Sequence, residues 1–228
     1  MAEVARPSKG ILLTVLKFFV VFPALLFLPA GTLKFWQAWA LWGLVGLLMA
    51  LGGTYFVKHD PALMKRRLRR GPVAEKETSQ KIIIALLSIF LVASFLIPGL
   101  DHRFGWSHVP PLVVVAGDLL VAAGFLLIFL TFKVNSFAAA TIDVEPTQTV
   151  ATTGPYRIVR HPMYIGVLLV LTFFPLALGS YWALLIAPFT FALIVWRLLD
   201  EERFLARNLP GYEEYCRTTR SRLIPYVW

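Results

Sequence analysis

Six apolar stretches, joined by short polar connections, decide what this chain can fold into. They run over residues 11–28, 35–57, 82–98, 110–132, 163–178 and 181–199. A helix needs about 20 apolar residues to cross a hydrocarbon core of about 30 Å. Backbone polar groups in lipid must be satisfied within the segment, so stretches of this kind become helices. The pattern predicts an all-α, polytopic membrane bundle of about six spans. The fifth stretch is short and reaches only about 24 Å at about 1.5 Å per residue. It crosses a thin region or forms one arm of a hairpin that does not fully emerge.

Of the 228 residues, 58% are hydrophobic, more than the roughly half of soluble domains, and one bundle suits this length. Arg6 and Lys9 precede the first stretch as in a signal peptide. The run lacks a small-x-small cleavage site, and a second span follows at once, so it reads as a retained span. The net charge of +9 does not indicate nucleic acid, because the basic residues sit in a few connections and the tail, which is how membrane topology is encoded. Lys34 and Arg103 alone fall in connections that would face outward, and Lys17, inside the first stretch, would snorkel. Both termini are therefore expected to be cytoplasmic, in a plasma or inner membrane rather than endoplasmic reticulum. The most basic segment, Lys65 to Arg70, reads as a topology signal drawn to anionic headgroups, with a gate over the site as the second reading. Cys216 is the sole cysteine, which excludes a disulfide or a multi-cysteine metal site. No metal is expected.

Two polar clusters stand out from this background. The first runs Gly154-Pro155-Tyr156, then Arg160-His161-Pro162-Met163-Tyr164-Ile165-Gly166, and the second contains Glu201-Glu202-Arg203-Phe204-Leu205. The last two apolar stretches lie between them and are joined at Gly179-Ser180. A helical hairpin returns the chain to the side it left, so the clusters are expected to meet at one membrane surface. Pro162 suits the first turn of a helix, where its missing donor costs nothing. A helix N-terminus attracts anions, and Arg160 adds a fork that matches a carboxylate. Three acids in a row, Asp200 to Glu202, oppose the dipole at a helix C-terminus. They call for a basic partner or for a ligand bearing hydroxyl and ammonium groups.

The tail beyond Pro210-Gly211, from Tyr212 to Pro225, reads as a short amphipathic helix at the interface, with Tyr226 and Trp228 as interfacial anchors. Cys216 reads as a packing residue. Asp118, an ionisable residue within the fourth span, is a functional candidate by default. It lies in the half remote from the clusters, so an interhelical hydrogen bond is expected. Asn135 and Ser136, at the other end of that span, are candidates for substrate contact.

The set Arg160, His161, Pro162, Tyr164, Gly166, Glu201, Glu202 and Leu205 resembles the isoprenylcysteine carboxyl methyltransferase family and the related phospholipid N-methyltransferases. The resemblance covers residues 134–228, which form a C-terminal region after an N-terminal part, 1–133, holding spans one to four. It implies S-adenosylmethionine as methyl donor, in a pocket roofed by the C-terminal segment and open to the membrane, with a lipophilic or prenylated acceptor. By analogy Arg160, His161 and Tyr164 hold the methionyl end, and Pro162 and Gly166 of the same motif belong to the cofactor-binding set. Glu201 and Glu202 hold the ammonium or ribose, and Gly154, Pro155 and Tyr156 border the adenine. Tyr164 also offers the sulfonium a cation–π face. Arg220 and Arg222, with Glu214 as orienter, are expected to position the acceptor, and carboxyl O-methylation is the reaction the resemblance favours. A membrane reductase using NADPH, of the sterol-reductase type, and a non-catalytic scaffold or sensor are the competing readings.

Overall fold

The computed structural model describes residues 9–68, 72–75, 77–138 and 140–228, except for the side chains of 9–15, 17 and 72. The expectations placed on Arg6, the Lys17 side chain, Arg69 and Arg70 lie outside the described residues. All described regular structure is helical: α1 (Lys9–Ala30), α2 (Trp36–His59), α3 (Pro61–Leu68), α4 (Thr78–Phe104), α5 (Pro111–Val134), α6 (Pro162–Ala177), α7 (Ala187–Asn208) and α8 (Tyr212–Thr218). A 3₁₀ turn, Trp182–Ile186, leads straight into α7.

Each of the six apolar stretches is a helix. Four of them, Trp36–His59, Thr78–Phe104, Pro111–Val134 and Trp182–Asn208, are long and apolar enough to span a membrane, and Phe18–Ala30 and Pro162–Ala177 are shorter apolar helices. The protein is an integral membrane helical bundle. Its main apolar core joins α1, α2, α4, α5 and α6 around Leu26, Leu41, Phe95, Val121 and Phe174. Phe95 bridges Phe22, at 4.9 Å between ring centroids, and Phe174, at 5.0 Å.

The sequence pairs the fifth and sixth stretches as a hairpin. The turn is there, but the closest packing of α6 is with α5. A Cβ on Gly124 would lie 2.7 Å from the Gly166 carbonyl oxygen, and one on Gly166 would lie 2.7 Å from that of Gly124. Small residues let membrane helices approach until their backbones touch. Gly166 thus packs α6 on α5. Gly124→Val is expected to push the helices apart and destabilise the fold by about 1–3 kcal/mol, the usual cost of overpacking. A lower melting temperature in detergent is the readout.

At the far end of α6 the chain reverses through Gly179, whose φ of 71° suits glycine. There Asp101 is fully buried. It accepts hydrogen bonds from Ser107 N (2.6 Å), Ser107 Oγ (2.7 Å) and Ser180 Oγ, which fixes the end of α4 to the α6–α7 turn. Asp118 departs from expectation. Its Oδ1 is buried without a hydrogen-bond partner among the described residues.

Candidate active site

The two polar clusters meet as the hairpin topology requires. Pro162 is the first residue of α6 and His161 its N-cap, so the 154–161 segment ends beside the last turns of α7. Glu202 is the junction. Its Oε1 lies 3.2 Å from His161 Nε2 and 3.1 Å from Arg160 Nε, and its Oε2 accepts from Arg222 Nε at 2.8 Å. One turn along α6, the Tyr164 hydroxyl donates to Glu201 Oε2. The helix end expected at these acids is not there: α7 continues to Asn208, which places Asp200, Glu201 and Glu202 ahead of the last turn where the dipole acts, and each has a partner, Asp200 through Gln80 and Arg203.

A pocket opens against this junction. Tyr156, Arg160, His161, Tyr164, Glu201 and Tyr212 supply its polar wall, and the loop after α5, from Asn135 through Ala151, supplies its roof. Its cavity volume is about 80 Å³, below the usual range for small-molecule sites. Two polar groups on the wall lack hydrogen-bond partners among the described residues. Arg160 Nε is buried and its contact with Glu202 is an ion pair without hydrogen-bond alignment. The Tyr212 hydroxyl is buried and unpartnered on a side chain only 4% exposed. Buried polar groups are normally paired, so these two stand out among the residues of the pocket wall.

Local structure explains which residues reach the pocket. Gly154 has φ 58°, a conformation suited to glycine, and begins the 3₁₀ turn Gly154–Arg157. The turn brings Tyr156 under the roof, where its hydroxyl accepts from Asn135 Nδ2 at 2.8 Å. Burial pushes the Tyr156 hydroxyl up to about 12, and burial also raises those of Tyr212 and Tyr215. All three keep their protons across the physiological range. The Tyr156 carbonyl accepts from Tyr215 Oη at 2.8 Å. Backbone bonds from Arg160 N to Ser221 O (2.9 Å) and from His161 N to Arg222 O (3.1 Å) lay the tail alongside the motif.

Gly154, Pro155, Pro162, Gly166 and Glu202 shape or brace the pocket without lining it, whereas Tyr156, Arg160, His161, Tyr164 and Glu201 line it. Of the acceptor-positioning residues, Arg222 reaches the site only through Glu202. Glu214 and Arg220 are not brought to the pocket. α8 turns Tyr212, Tyr215 and the following Thr219 inward, which sends Glu214 outward to an exposed pair with Arg217 at 3.4 Å, and Arg220 is exposed. Cys216 packs against the Leu209–Tyr212–Tyr215 cluster as expected. Trp228 folds back on the bundle: its carbonyl accepts from Leu223 N and Ile224 N, and its side chain packs against the Tyr164–Ile194–Leu198–Leu223 cluster. Tyr226 is fully exposed.

Sequence reasoning missed Arg197. It is 6% exposed and donates to Gln80 Oε1 (2.6 Å), Glu75 Oε1 (2.8 Å) and the Ala140 carbonyl (2.8 Å). It lies one turn before Glu201 on the same helix, and Gln80 Nε2 donates to Asp200 Oδ2 at 3.0 Å. An arginine inside an apolar run was the available signal. In the basic segment two of the described arginines are engaged within the protein. Arg66 pairs with Glu145, and Arg67 lies over the Phe132 ring and donates to Met163 Sδ. Among the described residues no group of three or more His, Cys, Asp or Glu is arranged to hold a metal ion.

Comparison with known proteins agrees with this geometry. The phospholipid methyltransferase family matches residues 112–210, a stretch that holds both polar clusters. The chain is 27% identical to protein-S-isoprenylcysteine O-methyltransferase A of Arabidopsis thaliana over 61% of its own length and 63% of the plant protein. It is 31% identical to the cobalt-zinc-cadmium resistance protein CzcN of Cupriavidus metallidurans, over 44% of this chain and 47% of that one. It is 30% identical to the Delta(14)-sterol reductase TM7SF2 of Mus musculus, over 43% of this chain and 25% of the reductase. The chain thus matches less than two thirds of the length of each of these relatives. Through residues 112–210, which hold the Arg-His-Pro and Glu-Glu clusters joined in one pocket, the chain is similar to the phospholipid methyltransferase family and to the plant isoprenylcysteine O-methyltransferase.

Proposed function

We propose that this protein is an S-adenosylmethionine-dependent methyltransferase acting on a lipophilic or lipidated acceptor, with carboxyl O-methylation as the reaction. The observation that carries the cofactor reading is the pair of orphaned groups, Arg160 Nε and Tyr212 Oη, on the same wall as the Glu201 carboxylate. Cationic, hydroxyl and anionic groups side by side suit a zwitterionic amino-acid end. Arg160 and Tyr212 would hold a carboxylate, Glu201 an ammonium or ribose hydroxyls, and Tyr156 would border the adenine. When bound, S-adenosylmethionine supplies an electrophilic methyl group.

The chain's own contribution is placement. In-line displacement depends on alignment, which is worth several kcal/mol when it is built in beforehand. Glu202 fixes Arg160 and His161 and anchors the tail through Arg222, so Arg222 acts as a positioning residue in this reading. A carboxylate acceptor needs no base. A thiol or amine acceptor has to lose a proton, for which His161, on the pocket wall, is the nearest imidazole. The distribution of Lys and Arg orients the site end toward the cytoplasm.

Tyr212→Phe is expected to weaken S-adenosylhomocysteine binding about tenfold, the worth of one hydrogen bond of about 1.4 kcal/mol, at an unchanged melting temperature. Equal affinity would place no ligand atom at this hydroxyl. The acceptor is tested by transfer of a tritiated methyl group from S-adenosylmethionine in detergent micelles. N-acetyl-S-farnesylcysteine and phosphatidylethanolamine serve as alternative acceptors. Label in the farnesylcysteine, released by base as methanol, supports carboxyl methylation. Label only in the phospholipid contradicts it.

A further inference from the structure

The family match begins at residue 112, yet two polar junctions that shape the pocket come from earlier in the chain. The first is made by α3. Arg66 gives Glu145 two parallel bonds, Nε to Oε1 and Nη2 to Oε2, both at 2.7 Å. Its Nη1 donates to the Ser136 carbonyl at 3.1 Å, and its guanidinium lies 4.6 Å over the ring of Phe137. Phe137 lines the pocket. The second junction is made by the segment between α3 and α4. Glu75, 4% exposed, accepts from Arg197 at 2.8 Å and from the Ile142 backbone N–H at 3.3 Å. Arg197 also donates to the Ala140 carbonyl. Among its described residues the loop from 136 to 150 has no regular structure of its own. These bonds hold it at three points: Ser136–Phe137, Ala140–Ile142 and Glu145.

We propose that the connector between α2 and α4 is a strap that completes the pocket, with Arg66 and Glu75 as positioning residues holding the 136–150 roof over the cofactor site. Neither residue lines the pocket. Each acts through a roof residue that does: Arg66 through Phe137, and Glu75 through Ile142. A loop of this length, whose described internal hydrogen bonds include the Glu145–Gln148 turn, is costly to order, and the strap supplies that ordering before a ligand arrives. Preorganisation of this kind raises affinity by removing an ordering cost from the binding step. The bidentate geometry favours arginine, since lysine presents only a point charge. The identity of the ligand rests on the function proposed above; the strap itself does not.

The test uses the whole protein in detergent, as wild type, Arg66→Glu, Glu145→Arg and the charge-reversed double variant. Hydrogen–deuterium exchange of the 136–150 segment is measured without ligand, and S-adenosylhomocysteine affinity by titration. Each single reversal is expected to speed roof exchange and weaken binding about fivefold, and the double variant, which restores the ion pair but not the Arg66 contacts with Ser136 and Phe137, is expected to recover part of both. Single variants that exchange like wild type, or a double variant as fast as the singles, overturn the strap. If folded wild type binds no S-adenosylhomocysteine while exchange follows the expected pattern, the strap stands and the cofactor assignment fails.

Discussion

Replacing Arg197 by Met should destabilise the protein more than any other single change at the site, by roughly 3–5 kcal/mol, the usual cost of breaking a buried ion pair. The reason is what is left behind. The Glu75 side chain is 2% exposed, and without the guanidinium its carboxylate is buried beside no countercharge. Gln80 Oε1 and the Ala140 carbonyl lose their donor in the same step. The double variant Arg197→Met with Glu75→Met is expected to be more stable than Arg197→Met alone, because removing both charges removes the stranded one. Melting in detergent for the wild type, both singles and the double checks this. Additive losses would mean that the two residues do not act as a pair.

The second large effect is expected at Glu202. Glu202→Ala should weaken S-adenosylhomocysteine binding about a hundredfold, equivalent to roughly 3 kcal/mol. Its carboxylate serves Arg160, His161 and Arg222 together, so its removal frees Arg160 and His161 to turn away from the pocket and detaches the tail. Glu202→Gln keeps the shape but not the charge and is expected to fall between. By contrast, Glu214→Gln should bind like wild type, since Glu214 faces solvent with Arg217. A titration series across these variants separates the outcomes.

The bundle and the meeting of the two clusters were legible in the sequence because both follow from local rules. Apolar length decides which segments become helices, and an even number of crossings between His161 and Glu202 returns the chain to one face. The short α6 was visible in the same way. What stayed hidden depends on distant partners or on the faces of short helices. Arg197 pairs with Glu75, 122 positions away, and no periodicity encodes such a contact. Gly166 was read with the motif around it, whereas its role is set by Gly124 on another helix. Glu214 was chosen for its chemistry, but Tyr212 and Tyr215, three apart on α8, define the inward face and leave it outside. Arg66 and Arg67 looked like free charge because α3 is too short for a pattern of its own to show what it packs against.

The most direct test is calorimetric titration of the purified protein with S-adenosylhomocysteine and, separately, with NADPH, for wild type, His161→Ala and Glu201→Ala. A methyltransferase pocket predicts micromolar binding of S-adenosylhomocysteine by wild type, loss of that binding in both variants, and no binding of NADPH. Binding of NADPH alone would contradict it and point to the chemistry named by the sterol reductase relative. Binding of neither by a folded protein would contradict it as well, and would favour a non-catalytic role for this fold.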